Sequence, residues 1–212
     1  MPNFHAESRF HRLGLSRVAG LDEVGRGAWA GPLMAGAVIL PEPTRALRRA
    51  LQSVNDSKQL RPTARETCAA IIREQAVACA VGLVSANELD ALGMTAATRL
   101  AMSRALATLC AQPQALLIDA FPLPASPLPQ RAIVRGDGWS FSIAAASVIA
   151  KVARDALMRG LHEQYPHYHF HANKGYGTAA HHDALQRYGP SAEHRRSFAP
   201  VARLAGQPEG AP

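Results

Sequence analysis

Four acidic side chains stand in this sequence where acids do not ordinarily collect. Asp22 and Glu23 are adjacent in G-L-D-E-V-G-R-G-A-W-A-G-P, directly after an apolar run; Asp119 closes the apolar A-L-L-I-D; Asp137 sits between two glycines in R-G-D-G. Taken singly, each has an ordinary reading: Asp137 as a helix cap, Asp119 as the opening of a turn, Glu23 as a solvated acid. Gathered at one place, four carboxylates repel one another unless cations hold them. Two divalent ions neutralise four such charges. Carboxylate oxygens are the ligands that Mg²⁺ and Mn²⁺ prefer, and a pair of ions roughly 4 Å apart suits phosphoryl transfer. In that arrangement Asp22 bridges both ions, while Glu23, projecting from the other side of the backbone, reaches only one.

The neighbouring residues fit a phosphodiester substrate. Gly25 and Gly27 flank Arg26, so bare backbone can approach a ligand there, although a lone G-x-G carries little weight by itself. Tyr176, between glycines in N-K-G-Y-G-T, is placed either to stack on a base or sugar or to pack in the interior. The formal charge of +7 suits a polyanionic partner. Of the 23 basic side chains only Lys58, Lys151 and Lys174 are lysine. Each lies in a distinctive segment, N-D-S-K-Q-L, A-A-A-S-V-I-A-K or N-K-G-Y-G-T, where a compact point charge serves better than a planar fork.

Other candidates read more plainly. His167, His169 and His171 alternate as if on one strand face, but they follow Pro166 with no cysteine near, so a zinc site is not expected. Asp155 stands four residues from both Lys151 and Arg159, the spacing of a helical ion pair. Cys68, Cys79 and Cys110 are odd in number and lie in apolar sequence, as buried thiols do. No apolar stretch approaches bilayer-spanning length, and M-P-N-F-H-A-E-S-R-F lacks a signal-peptide core. The expectation is a soluble cytoplasmic protein.

The elements that must position these residues follow from periodicity and breakers. Strands are expected at 17–22 and 33–40, joined by the glycine-rich stretch, then at 77–84, 115–119 and 131–135. Helices are expected at 62–75, with a capping box of Thr63 and Glu66, at 86–92, 94–111, 141–164 and 178–188. The proline-rich F-P-L-P-A-S-P-L-P reads as a loop. With 48% hydrophobic residues in 212, the chain can bury one core. The order of elements gives an α/β or α+β layer fold with a mixed sheet covered by helices.

Six segments in order, G-L-D-E-V-G-R-G-A-W-A-G-P, N-D-S-K-Q-L, L-L-I-D, R-G-D-G-W-S-F-S-I-A-A-A-S-V-I-A-K-V-A-R-D, Y-P-H-Y-H-F-H-A-N-K-G-Y-G-T and H-R-R-S-F-A-P-V, resemble the motifs of ribonuclease HII, the bacterial type 2 ribonuclease H, from about residue 17 to 203. The resemblance implies an α/β ribonuclease H-like fold: a mixed five-stranded sheet flanked by helices, with a helical C-terminal extension. The domain would span 15–205, with 1–14 and 206–212 as flexible termini. It implies a monomeric endonuclease that cuts the RNA of RNA/DNA hybrids and nicks duplex DNA 5′ of embedded ribonucleotides, leaving 3′-hydroxyl and 5′-phosphate ends. Asp22, Glu23, Asp119 and Asp137 would hold two Mn²⁺ or Mg²⁺ ions. Gly25, Arg26 and Gly27 would read the 2′-hydroxyl, Tyr176 would stack on the next sugar, and Ser57, Lys58 and Lys174 would line the substrate path.

Two departures from the family pattern stand out. Ala120 and Phe121 follow Asp119 where glycine is usual, and Gly138 and Trp139 follow Asp137 where a small residue and a cation are common. Two further readings stay open at this point: a non-catalytic nucleic-acid-binding protein, and ribonuclease HIII, whose additional N-terminal domain does not fit the roughly 20 residues before Asp22.

Overall fold

A computed structural model of the chain describes residues 2–54 and 60–205. Five strands, β1 (Val18–Val24), β2 (Leu33–Ile39), β3 (Ala78–Val84), β4 (Ala115–Asp119) and β5 (Gln130–Ile133), form one sheet in the order β3-β2-β1-β4-β5. The β1–β2 and β2–β3 pairs are antiparallel, and β1–β4 and β4–β5 are parallel. The helices are α1 (His5–His11), α2 (Arg45–Ala50), α3 (Pro62–Gln75), α4 (Ala86–Leu92), α5 (Met94–Ala107), α6 (Phe141–Gln164), α7 (Phe170–Asn173), α8 (Ala179–Tyr188) and α9 (Ala199–Ala205). This is the expected mixed sheet with flanking helices and a helical C-terminal extension.

Strand β2 is buried along its whole length, because helices cover both of its faces. Leu33, Ala35, Ala37 and Ile39 meet Ala101, Met102 and Ala105 of α5 on one side. On the other, Val38 meets Ala145 and Ile149 of α6 together with Ile72 of α3. Each such aliphatic contributes about 1.5–3 kcal/mol by leaving water.

Helix α6 lies unusually close to the sheet, and two glycines allow it. A Cβ on Gly20 would come within 2.1 Å of the Ser142 carbonyl carbon, and one on Gly36 within 2.3 Å of the Ala146 oxygen. The small side chains of the A-A-A-S run complete the fit, so the longest helix is laid across β1 with its N-terminus near the end of β4. Its first turn is capped by Ser140, whose Oγ accepts from Ile143 N at 3.2 Å. The Ser140 hydroxyl and the Ser142 N–H both donate to Glu7 Oε1, at 2.6 and 2.9 Å, placing a carboxylate at the positive end of the helix.

Several local expectations change. The capping box is not at Thr63 and Glu66: Pro62 takes the first helical position, so Arg61 is the N-cap and Thr63 lies inside α3. A capping box does form at Ser85 and Glu88 of α4. Helix α5 ends at Ala107, four residues earlier than the apolar spacing suggests. The histidines at 167, 169 and 171 share no strand face: they fall in a 3₁₀ turn and in the start of α7. Helices α1, α2, α7 and α9 carry too little periodicity to be read from sequence. Residues 5–11 form α1 although they precede the 15–205 span, and the adjoining Phe4 is fully buried against Phe141.

Candidate active site at the ends of β1 and β4

Strand alternation separates the two adjacent acids. Asp22 shares its face of β1 with Gly20, toward α6, and is 2% exposed; Glu23 belongs to the opposite face. The parallel register Leu21↔Ile118 carries Asp119 to the end of β4 beside Asp22. Carboxylate oxygens of Asp22, Glu23 and Asp119 lie within 4.8 Å of one another. Asp137, in the 3₁₀ turn Gly136–Gly138 before α6, is buried and near enough to raise the Asp22 pKa, but its oxygens stand outside that close group. The turn is fastened to the site by Gly136 N–H, which donates to Asp119 Oδ1 at 2.7 Å.

The arrangement is electrostatically incomplete without cations. Asp22 Oδ1 accepts Glu23 N–H at 2.7 Å, whereas Asp22 Oδ2 and Glu23 Oε2 are buried with no hydrogen-bond partner among the described residues. Burial, then the Glu23 charge, and more weakly Asp119 and Asp137, push the Asp22 carboxyl well above the usual range; the Ser147 hydroxyl only partly offsets this. Burial also raises Glu23, against the lowering effect of Arg26. Orphaned carboxylate oxygens in a converging acidic group are the donor set that a hard divalent cation fits.

Arg26 donates to Glu23 Oε1 at 3.2 Å, and its guanidinium lies 4.4 Å from the centre of the Phe121 ring. Thus Phe121, one of the departures after Asp119, holds the arginine of the G-R-G loop. Ala120 keeps a left-handed backbone, φ 53°, at the position where glycine is usual. Gly25 also has positive φ, 90°, and a Cβ there would strike Arg154 Nε at 2.3 Å. Gly27 is exposed, and a Cβ there would meet nothing.

Tyr176 is half-buried, with Arg154 Cζ 5.4 Å and Lys151 Nζ 5.8 Å from its ring centre. Lys174 donates its ammonium to the His171 carbonyl, and burial lowers its pKa. Lys151 pairs with Asp155 at 2.6 Å, and Arg65 joins them at 3.1 Å; the other expected partner, Arg159, turns to Glu66 instead. Ser57 and Lys58 lie outside the described residues.

Sequence reasoning passed over the side chains that hold these loops together. Buried Arg154 donates to the carbonyls of Pro32 (2.9 Å), Ala30 (3.1 Å) and Lys174 (2.9 Å). Buried Arg195 donates to Gly25 (2.6 Å), Arg26 (3.0 Å) and Gly31 (2.9 and 3.1 Å). Among the described residues neither makes a salt bridge, and burial lowers the pKa of both. Backbone bonds from Trp29 N and Ala30 N to the Gly175 oxygen, at 2.7 and 3.2 Å, join the G-R-G and N-K-G-Y-G loops directly. The one sequence signal for Arg195 was its place in H-R-R-S-F-A-P, which carries no chemistry until the fold brings it to the loop.

The sequence profile of the family described as "Ribonuclease HII" matches residues 19–201. A protein named ribonuclease HII from Chloroflexus aurantiacus is 50% identical over 201 residues, covering 95% of each chain. One of the same name from Roseiflexus castenholzii is 50% identical over 204 residues, 96% of this chain and 91% of the other. Among solved structures, the ribonuclease H2 from Pyrococcus horikoshii OT3 superposes with a TM-score of 0.74 at 26% identity, covering 89% of this chain and 97% of that one.

Proposed function

The chain belongs to the ribonuclease HII family and is a hydrolytic endoribonuclease of the ribonuclease H type, and from that premise we propose that it nicks duplex DNA on the 5′ side of single embedded ribonucleotides as well as cutting RNA/DNA hybrids. The observation that carries this reading is the convergence of Asp22, Glu23 and Asp119 within 4.8 Å, two of their oxygens buried and unpartnered, beside the bare backbone of Gly25–Gly27. Family membership makes the enzyme metal-dependent; Asp22, Glu23 and Asp119, with Asp137 from the turn before α6, would hold Mg²⁺ or Mn²⁺ ions, two in our reading. When bound, the ions supply the Lewis acidity that makes water a nucleophile at neutral pH and stabilises the leaving oxygen.

The chain's own residues supply position and selectivity. Gly25, Arg26 and Gly27 present backbone to the ribose, where only a 2′-hydroxyl distinguishes RNA from DNA. Tyr176 stacks on the adjoining sugar, and Lys174, with Ser57 and Lys58, serves the phosphate path. Arg154 and Arg195 act as positioning residues by fixing these loops to each other. Among the described residues no helix is long and apolar enough to cross a membrane.

The test is a duplex DNA carrying one ribonucleotide, incubated with Mg²⁺ or Mn²⁺ beside an all-DNA control, with the cut mapped. A single nick 5′ of the ribonucleotide, lost in Asp22→Asn and Asp119→Asn, is expected. An uncut substrate or a nicked control overturns the proposal.

A further inference from the structure

Next to Asp137 lies a groove that none of these roles uses. Helix α1 turns its single acid inward: Glu7 is 2% exposed and bound to Ser140 and Ser142, while His5 and Arg9 are exposed to solvent. Facing them is β5, the outermost strand of the sheet, with Arg131 exposed. Two adjoining cavities, of about 340 Å³ and 240 Å³, run between α1 and β5, and Arg9 and Arg131 line both. His5, Ile133 and Trp139 line the first, and Leu13 the second; among the described residues no carboxylate lines either.

Two features tie this groove to the site rather than to a separate partner. Ile133 is the register partner of Asp119, so the cavity wall begins one strand away from the acidic group. Trp139 follows Asp137 by two residues and is 63% exposed, a large ring left uncovered at the edge of a site that works on nucleic acid. An exposed indole beside arginines that face no acid among the described residues is what a polyanion with stackable rings requires.

We propose that the α1–β5 groove holds the backbone of the substrate duplex beyond the cut, with Arg9 and Arg131 on phosphates and Trp139 stacked on a base or sugar. This rests on the nuclease reading above and extends it to a binding surface that includes Trp139 of G-D-G-W. An acidic peptide laid along the β5 edge is the competing occupant, and continuity with the site favours the duplex.

The experiment measures equilibrium binding of labelled all-DNA duplexes of about one and about two helical turns, without divalent ions, over a range of salt. The wild type should gain affinity with length. Trp139→Ala should lose about five-fold or more of that gain, with Trp139→Phe restoring most of it. The double variant Arg9→Ala/Arg131→Ala should lower the slope of log K against log salt by about 2. All three positions are exposed, and unchanged melting temperatures exclude a folding defect. Wild-type affinities and slopes in these variants overturn the groove, as does displacement of poly-glutamate but not of duplex by the same substitutions. Cutting by the wild type is scored separately: a wild type that cuts while the variants bind normally sinks the groove alone, and a wild type that does not cut sinks the nuclease reading.

Discussion

His181 Nε2 and His194 Nε2 lie 2.9 Å apart in the interior, and their other contacts admit one arrangement of protons. His181 Nδ1 faces the Tyr176 carbonyl at 2.9 Å and must carry a hydrogen, which leaves its Nε2 as acceptor. His194 therefore donates from Nε2, and its Nδ1 accepts from Ser191 N at 3.0 Å and from Ser191 Oγ at 2.8 Å. Both rings are neutral, and a second proton on either would set N–H against N–H beneath the Tyr176 loop.

This pair predicts an acid-sensitive stability. Burial, then the His181 neighbour, lowers His194 to about 3, and burial lowers His181. Between about pH 6.5 and 3 the unfolded chain binds a proton at His194 that the folded chain refuses, so the stabilisation is complete above 6.5 and lost as pH falls, at roughly 1.4 kcal/mol per unit, and the lowered His181 adds to the loss in the same direction. Unfolding measured against pH should show a shallower acid slope in His181→Phe/His194→Leu than in the wild type. Parallel slopes would remove the pair from the account.

Arg195→Lys should separate loop positioning from chemistry. An ammonium cannot reach Gly25, Arg26 and Gly31 at once, so carbonyls lose partners at a cost of roughly 3 kcal/mol or more. In cutting assays KM should rise more than kcat falls, because the displaced loop is the one proposed to meet the substrate. An equal loss in both, or none, counts against the clamp.

Asp22→Asn should abolish cutting and yet raise the melting temperature in EDTA. The substitution removes a charge that is both buried and repelled by Glu23, relieving the strain that raises the carboxyl's pKa. Excess Mg²⁺ should stabilise the wild type and not the variant. A variant that melts lower than the wild type in EDTA contradicts the electrostatic account.

Gly27→Ala isolates the role of bare backbone. Its Cβ would meet no protein atom, so the fold should be unaffected, with a change in stability within about 0.5 kcal/mol. Nicking at a single ribonucleotide should nevertheless fall at least ten-fold if substrate occupies that space, a drop of about 1.4 kcal/mol in transition-state binding. Unimpaired nicking would assign the glycine to the turn alone.

Ala120→Gly should stabilise the protein. Alanine at φ 53° carries the steric cost of a left-handed backbone, about 1 kcal/mol, that glycine avoids. Denaturant midpoints of the two proteins check this, and a lower midpoint for glycine would show that the Ala120 methyl earns its place by packing.

Much of the molecule was legible in the chain itself. Strand β4 and helices α3, α4 and α6 fall at the expected ranges, which apolar runs and prolines mark, since these signals act within a few residues. The four acids were legible as well, because Asp22, Glu23 and Asp119 follow or end apolar segments where a charge needs a reason, and Asp137 stands between two glycines just before the longest helix. Arg154 and Arg195 were not: nothing in their local sequence singles them out, and only folding buries them against carbonyls of Pro32 and Gly25, more than a hundred positions away. Helix α1 was missed for a similar cause, being stabilised by Phe4 on Phe141 and Glu7 on Ser140 rather than by its own pattern.

The quoted G-L-D-E-V-G-R-G shows both limits. Sequence determined that Asp22 and Glu23 project to opposite faces, because strand alternation is local. The company they keep was decided in three dimensions. The parallel β1–β4 register brings up Asp119, and glycines at 20 and 36 let α6 lie close enough to carry Asp137 alongside. The Arg26 side chain is held by Glu23 and Phe121. Such contacts depend on the closing of long loops and the packing of a helix on a sheet, and no short window of residues encodes them.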